Sequence, residues 1–164
     1  MNRVTRSPFN SSLESGVRAV IILNSLFPEG SDLQRLVDFD YLVVHSEDVN
    51  GPESLHAPLP MRAGELLVRR NIIQDGLLLM MSRGLVSRVS TETGIEYRAS
   101  ETSNSFVDSL GAPYLIKLKE RADWIADEYG QVSNSELNEM IKSFFDKWTT
   151  QFQPKNSPLG DIDE

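Results

Sequence analysis

Across residues 62–99 apolar side chains recur first at helical spacing and then at every second position, and this one change of period restricts the fold more than any other feature. Residues 63–70 read as a short helix, Asn71 as a break or cap, and residues 72–82 as a second helix bearing Ile72, Ile73, Leu77, Leu79, Met80 and Met81. Gly84 stands where a helix C-terminus favours a left-handed residue, a conformation glycine adopts at least cost. Residues 85–90 alternate toward a strand, Thr91 to Gly94 supply a turn, and Ile95 to Ala99 alternate again, which predicts a β-hairpin. Two short helices followed at once by a hairpin is the element order of a winged helix, a helix-turn-helix with a β wing.

Helices surround this segment on both sides. Residues 13–27 form one, with Val17, Val20, Ile21, Leu23 and Leu26 on its apolar face, and Pro28, Glu29 and Gly30 stop it. Ser31 is placed to cap a second, whose stripe is Leu33, Leu36, Val37, Tyr41 and Val44. Residues 46–60 hold three prolines, one glycine and little periodicity, the composition of a loop. Downstream come a short helix at 104–110 and a longer one at 114–129 introduced by Pro113, with Leu115, Leu118, Ala122 and Ile125 in register. An amphipathic helix at 134–148 follows, bearing Leu137, Ile141, Phe144, Phe145 and Trp148. The expected organisation is an extension over 1–12, a winged-helix-like domain with its N-terminal helices over 13–130, a C-terminal amphipathic helix over 131–150 and a mobile acidic tail over 151–164. The fold class is mainly α with one small β-hairpin.

A chain of 164 residues that is 40% hydrophobic and 24% charged can close one packed core, which excludes wholesale disorder. Its formal charge of -8 repels phosphate backbones unless a local basic patch overrides it. The absence of cysteine removes thiol catalysis, disulfides and thiolate metal sites. No apolar run is long enough to span a bilayer and no secretory signal is visible, so a cytoplasmic location without membrane attachment is expected.

Catalytic chemistry has little to stand on. His45 and His56 are the only imidazoles, and neither belongs to a ligand set at zinc spacing. There is no phosphate-binding loop, dinucleotide fingerprint, zinc-protease motif or nucleophile elbow. Asp38 and Asp40 fall on different helix faces and read as solvated charges rather than an acid/base pair. The expectation is no enzyme, no cofactor and no metal.

Two kinds of surface remain. Arg62, Arg69, Arg70, Arg83, Arg88 and Arg98 could form a modest patch for weak contacts to a DNA backbone, and could equally be salt-bridge partners of Glu65, Glu92 and Glu96. Residues 77–81 are apolar all round their helix, and Phe144, Phe145 and Trp148 do not share one face, so a small domain has difficulty covering them all. Leu78, Met81, Phe144, Phe145 and Trp148 are therefore candidate partner contacts. The competing arrangement packs the aromatics on Tyr114, Leu118 and Ile125.

The runs SPFNSSLESGVRAVIILN, DYLVVHSEDVNGPESLH, RAGELLVRRNIIQDGLLLMMSRGLV and GIEYRAS, followed by SFVDSL and RADWI, resemble the middle component of ABC three-component systems, the Lamassu-type bacterial anti-phage and anti-plasmid operons. The resemblance covers residues 7–124 and carries over no functional residue. It implies a non-catalytic adaptor with winged-helix character, docked on an SMC/Rad50-like coiled-coil ATPase and helping to restrain an effector subunit, often a nuclease. DNA would then be met only weakly or through the complex. A stand-alone winged-helix transcription regulator is the alternative.

Overall fold

A computed structural model of the protein describes the backbone of residues 11–58 and 62–151 and the side chains of residues 11–58 and 66–147. The expectations for 1–10, for the tail beyond 151 and for the side chains of Arg62 and Trp148 lie outside the described residues. Six α-helices and one hairpin are described: α1 (Ser12–Leu26), α2 (Leu33–Val44), α3 (Arg62–Ser82), β1 (Val86–Thr91), β2 (Gly94–Ala99), α4 (Ser103–Asp108), α5 (Pro113–Tyr129) and α6 (Asn134–Gln151). The architecture is mainly helical with a two-stranded antiparallel sheet.

α1 begins where the Ser11 side chain accepts from the Glu14 backbone N–H, filling one of the donors a helix start leaves open. Its stretch Ala19 to Leu23 is buried on every side, because α2, α3, α4, α5 and β2 all pack around it. α1 is thus the axis of the core rather than a helix with one apolar face. α2 is covered as completely from Leu36 to Val44. Its cap differs from the sequence expectation: Asp32, not Ser31, accepts from the Arg35 backbone N–H, at 2.8 Å. With the cap one residue later, Ser31 stays extended and exchanges both backbone hydrogen bonds with Tyr97 of β2. The loop after α2 opens with a 3-10 turn, Ser46–Val49.

The expected break at Asn71 does not occur. α3 is one helix of 21 residues, roughly 30 Å long. Asparagine inside a helix costs well under 1 kcal/mol, and a continuous helix keeps Arg69, Ile73, Gly76, Leu77 and Met80 on one buried face. Gly84 takes φ +71 just past its end, as the sequence indicates. The hairpin pairs Val86 with Ala99 and Thr91 with Gly94, leaving Glu92 and Thr93 as its two-residue tip. Val86 and Ala99 are buried at the base, whereas Ile95 is exposed near the tip. Ile95 therefore stays outside the buried cluster that holds Ile73 and Leu77. α5 contributes Leu118, Ala122 and Ile125 to the core, and α6 contributes Leu137 and Ile141.

Candidate functional site

The sequence does not prepare for what lies beneath α3. Arg18 on α1 donates from Nε to Asp40 Oδ1 at 2.8 Å, and Arg69 on α3 donates from Nη1 to Asp40 Oδ2 at 2.6 Å. All three are buried. Burial alone would raise the Asp40 pKa, but the two guanidinium groups outweigh it and hold the carboxylate below its ordinary range. The same carboxylate holds Arg18 above its ordinary value despite burial. Asp40 is a structural counter-ion joining three helices, and the reading of Asp38 and Asp40 as solvated charges is corrected. Asp38 is buried as well, accepting from Gln34 Nε2 at 3.2 Å, and burial pushes it up to about 6.

Polar contacts continue outward from this centre. Tyr114 on α5 shares a hydrogen bond with Arg18, and its hydroxyl lies 2.7 Å from His56 Nε2. Burial, reinforced by Arg18 and Arg69, lowers His56 to about 4. The ring is neutral at pH 7, and its tautomer sets which of Nε2 and the Tyr114 hydroxyl donates in the bond they share. His45 meets His56 edge to face at 5.9 Å and Tyr41 at 4.6 Å, and the Tyr41 hydroxyl donates to Asp48. These contacts tie the loop after α2 to α5. No group of three or more His, Asp and Glu side chains is placed to hold a metal ion among the described residues.

The arginine patch comes apart in three dimensions. Arg69 is withdrawn into the core by Asp40, so it cannot touch a DNA backbone. Arg70 is half-buried and donates to Gln34 Oε1 at 3.0 Å; Arg98 pairs with Glu96 at 3.2 Å. Arg83 and Arg88 stand exposed, and the Arg98 side chain remains partly exposed beside Glu96.

The apolar candidates separate too. Met81, Phe144 and Phe145 are half-buried against the core, and Phe145 meets the Tyr41 ring edge-on at 5.7 Å, so this aromatic packs on α2. Leu78 stands out on the far side of α3 at 62% exposure. It is joined there by Leu67 at 74% and Val68 at 56%, two residues the sequence reading did not single out. Their signal was present in Leu66-Leu67-Val68, since three adjacent apolar residues span more than one helix face. Between them the outer face carries Asn71 and Asp75, both exposed. A second apolar surface runs along the start of α1. Leu13 and Val17 border one cavity of about 340 Å³ with Leu110, Tyr114, Leu115 and Leu118, and another of about 410 Å³ with Leu79, Leu85 and Phe106.

The polar groups beneath α3 pair largely with one another, and the outer face of α3 exposes apolar side chains. No helix is long and apolar enough to cross a membrane among the described residues. The sequence model of a family described as ABC-three component (ABC-3C) system Middle Component 2 matches residues 8–151. No curated protein and no solved structure matches the chain.

Proposed function

The chain belongs to the Middle Component 2 family of ABC-three component (ABC-3C) systems, and from that premise we propose that it is a non-catalytic adaptor subunit of a Lamassu-type anti-phage complex. In this reading it docks on an SMC-like coiled-coil ATPase and helps to restrain a nuclease-type effector. The observation that carries the reading is the outer face of α3. If the fold is a winged helix, α3 is the helix that would enter a DNA groove, and such a helix reads bases with basic and amide side chains. Here that face presents Leu67, Val68 and Leu78, apolar groups suited to protein, and Asp75, which phosphate repels, beside the two amides Asn71 and Gln74 and no exposed basic side chain among the described residues. Support for the winged-helix assignment comes from the Ser31 to Tyr97 bridge. It sets the segment between α1 and α2 beside the hairpin as the start of a third strand, ahead of α2, α3 and the wing.

The test is co-expression of the tagged full chain with the two other components of its system, followed by purification at physiological salt. The expected result is a stable complex in which this chain adds no nuclease or ATPase activity of its own. Absence of any complex, together with tight sequence-selective DNA binding by the isolated chain, would replace the adaptor with the transcription-regulator reading. Weak, unselective and steeply salt-dependent DNA binding is the adaptor outcome.

A further inference from the structure

Asn50 and Gly51 form the one Asn-Gly pair in the chain, and this dipeptide carries chemistry of its own. The glycine backbone nitrogen can attack Cγ of the asparagine side chain. A new N–C bond closes a succinimide ring, the C–N bond of the side-chain amide breaks, and ammonia leaves with the proton that the glycine nitrogen gives up. Water then opens the ring at either carbonyl, and the products are aspartate and isoaspartate. Glycine in second place favours the attack, because no Cβ hinders its nitrogen.

Asn50 is exposed to water, yet the fold holds the pair in the wrong geometry for this reaction. Ring closure needs the Gly51 nitrogen eclipsed with Cβ of Asn50 about the Cα–C bond, which tetrahedral geometry places at ψ of about −120°. Asn50 sits in the left-handed region at φ 58 and ψ 29. The nitrogen is therefore turned roughly 150° away from the closing position. Its proton is also engaged, since the Gly51 N–H donates to the Ser46 carbonyl oxygen at 2.9 Å. Trp124 of α5 covers the glycine so closely that an added Cβ would collide with its ring. Further contacts fasten the rest of the segment: Arg121 Nε donates to the Glu53 carbonyl oxygen at 3.0 Å, the Ser46 hydroxyl to that of Pro52 at 2.8 Å, and His56 meets Tyr114.

We propose that Asn50–Gly51 is a latent modification site, closed while residues 46–58 stay docked on α5 and open to succinimide formation when this strap lifts. In the folded chain the reaction then draws on the lifted fraction alone, as amide hydrogen exchange draws on local openings. The change is one-way. Aspartate at position 50 adds a carboxylate to a turn that already holds Glu47 and Asp48, and isoaspartate also inserts a methylene into the main chain. Either product fits the docked strap less well than Asn50, so the mark records an opening and favours the next one.

The experiment incubates the full chain in mildly alkaline buffer, folded in one arm and in concentrated urea in the other. Mass spectrometry of the peptide containing Asn50 follows conversion of amide to acid, and enzymatic methylation counts isoaspartate. The folded chain should react at least about tenfold more slowly than the unfolded chain. Arg121→Ala removes one contact to the strap from a half-buried position, so the melting temperature should hold near that of the wild type. The folded variant should nevertheless react about two- to tenfold faster, the weight of one net hydrogen bond, and the Gly51 amide should exchange faster by the same factor. Trp124→Ala, which uncovers Gly51 itself, should speed both further. Equal rates in the folded and unfolded arms would overturn the proposal. So would a folded Arg121→Ala chain whose modification and Gly51 exchange both match the wild type.

Discussion

Gly16 of α1 and Gly76 of α3 meet backbone to backbone where the two helices cross. A Cβ built on Gly76 would lie 2.6 Å from the Gly16 nitrogen and 2.8 Å from the Ser12 carbonyl oxygen, and one built on Gly16 would lie 2.9 Å from the Gly76 carbonyl oxygen. The approach brings Arg69, Ile73 and Met80 of α3 down onto the central helix. It also explains why a residue unfavourable in helix interiors stands in the middle of α3.

In an exposed helix, replacing glycine by alanine stabilises by up to about 1 kcal/mol. At this crossing the sign should reverse. Gly76→Ala must push α1 and α3 apart against backbone atoms that cannot rotate away, and the expected loss is about 2 kcal/mol or more. Urea unfolding of the variant measures it, and a gain in stability would mean the helices do not cross here.

Asp40 should be irreplaceable on its own and dispensable as part of a set. Asp40→Ala leaves Arg18 and Arg69 buried without their shared carboxylate, a loss of about 3–5 kcal/mol. Replacing Arg18, Asp40 and Arg69 together with apolar residues of similar volume should recover most of that stability, since the desolvation cost of all three ions disappears. Thermal melts of the single and triple variants decide the matter; equal destabilisation would show that the ions contribute through partners other than one another.

Two buried groups should give opposing pH slopes. Asp38 is raised to about 6 by burial, so the folded chain binds its proton more readily than the unfolded chain. Stability from this group is greatest at low pH and falls as pH rises from about 4 to about 6. His56 is lowered to about 4, so its contribution is present above its ordinary 6.5 and is lost as pH falls from there toward 4. The wild-type chain should therefore vary little in stability across this window. Asp38→Asn should stabilise it by about 2 kcal/mol at pH 7, give no gain at pH 4, and expose the His56 slope as a loss on acidification. Urea midpoints at half-unit pH steps check both halves, and an acid-insensitive Asp38→Asn chain would refute the His56 assignment.

The hairpin should respond to charge at its base and tolerate it near the tip. Leu85 packs against the core and Ile95 is 40% exposed. Leu85→Asp should cost several kcal/mol through uncompensated burial, whereas Ile95→Asp should cost less than 1 kcal/mol. Circular dichroism melts compare the two, and equal losses would place the wing against the helices.

The chain's local chemistry alone determined that helices would run near 13–27, from the cap after Gly30 to Val44, over 114–129 and over 134–148, that a hairpin would turn within Thr91 to Gly94, and that Gly84 would follow the end of α3. Each depends on a period, a cap or a turn contained within a few residues, so short-range patterning suffices. The integrity of α3 through Asn71 was not legible that way. Its continuity comes from a buried face shared by Arg69, Ile73 and Gly76, and burial is a property of what packs on a helix. The same holds for Asp40, whose carboxylate looks like any surface acid until Arg18, 22 residues before it, and Arg69, 29 residues after it, arrive on other helices. Which arginines remain at the surface, and which apolar side chains α3 turns outward, were likewise settled by the tertiary structure. Both depend on which side of the helix the rest of the chain covers, and no spacing along one segment encodes that.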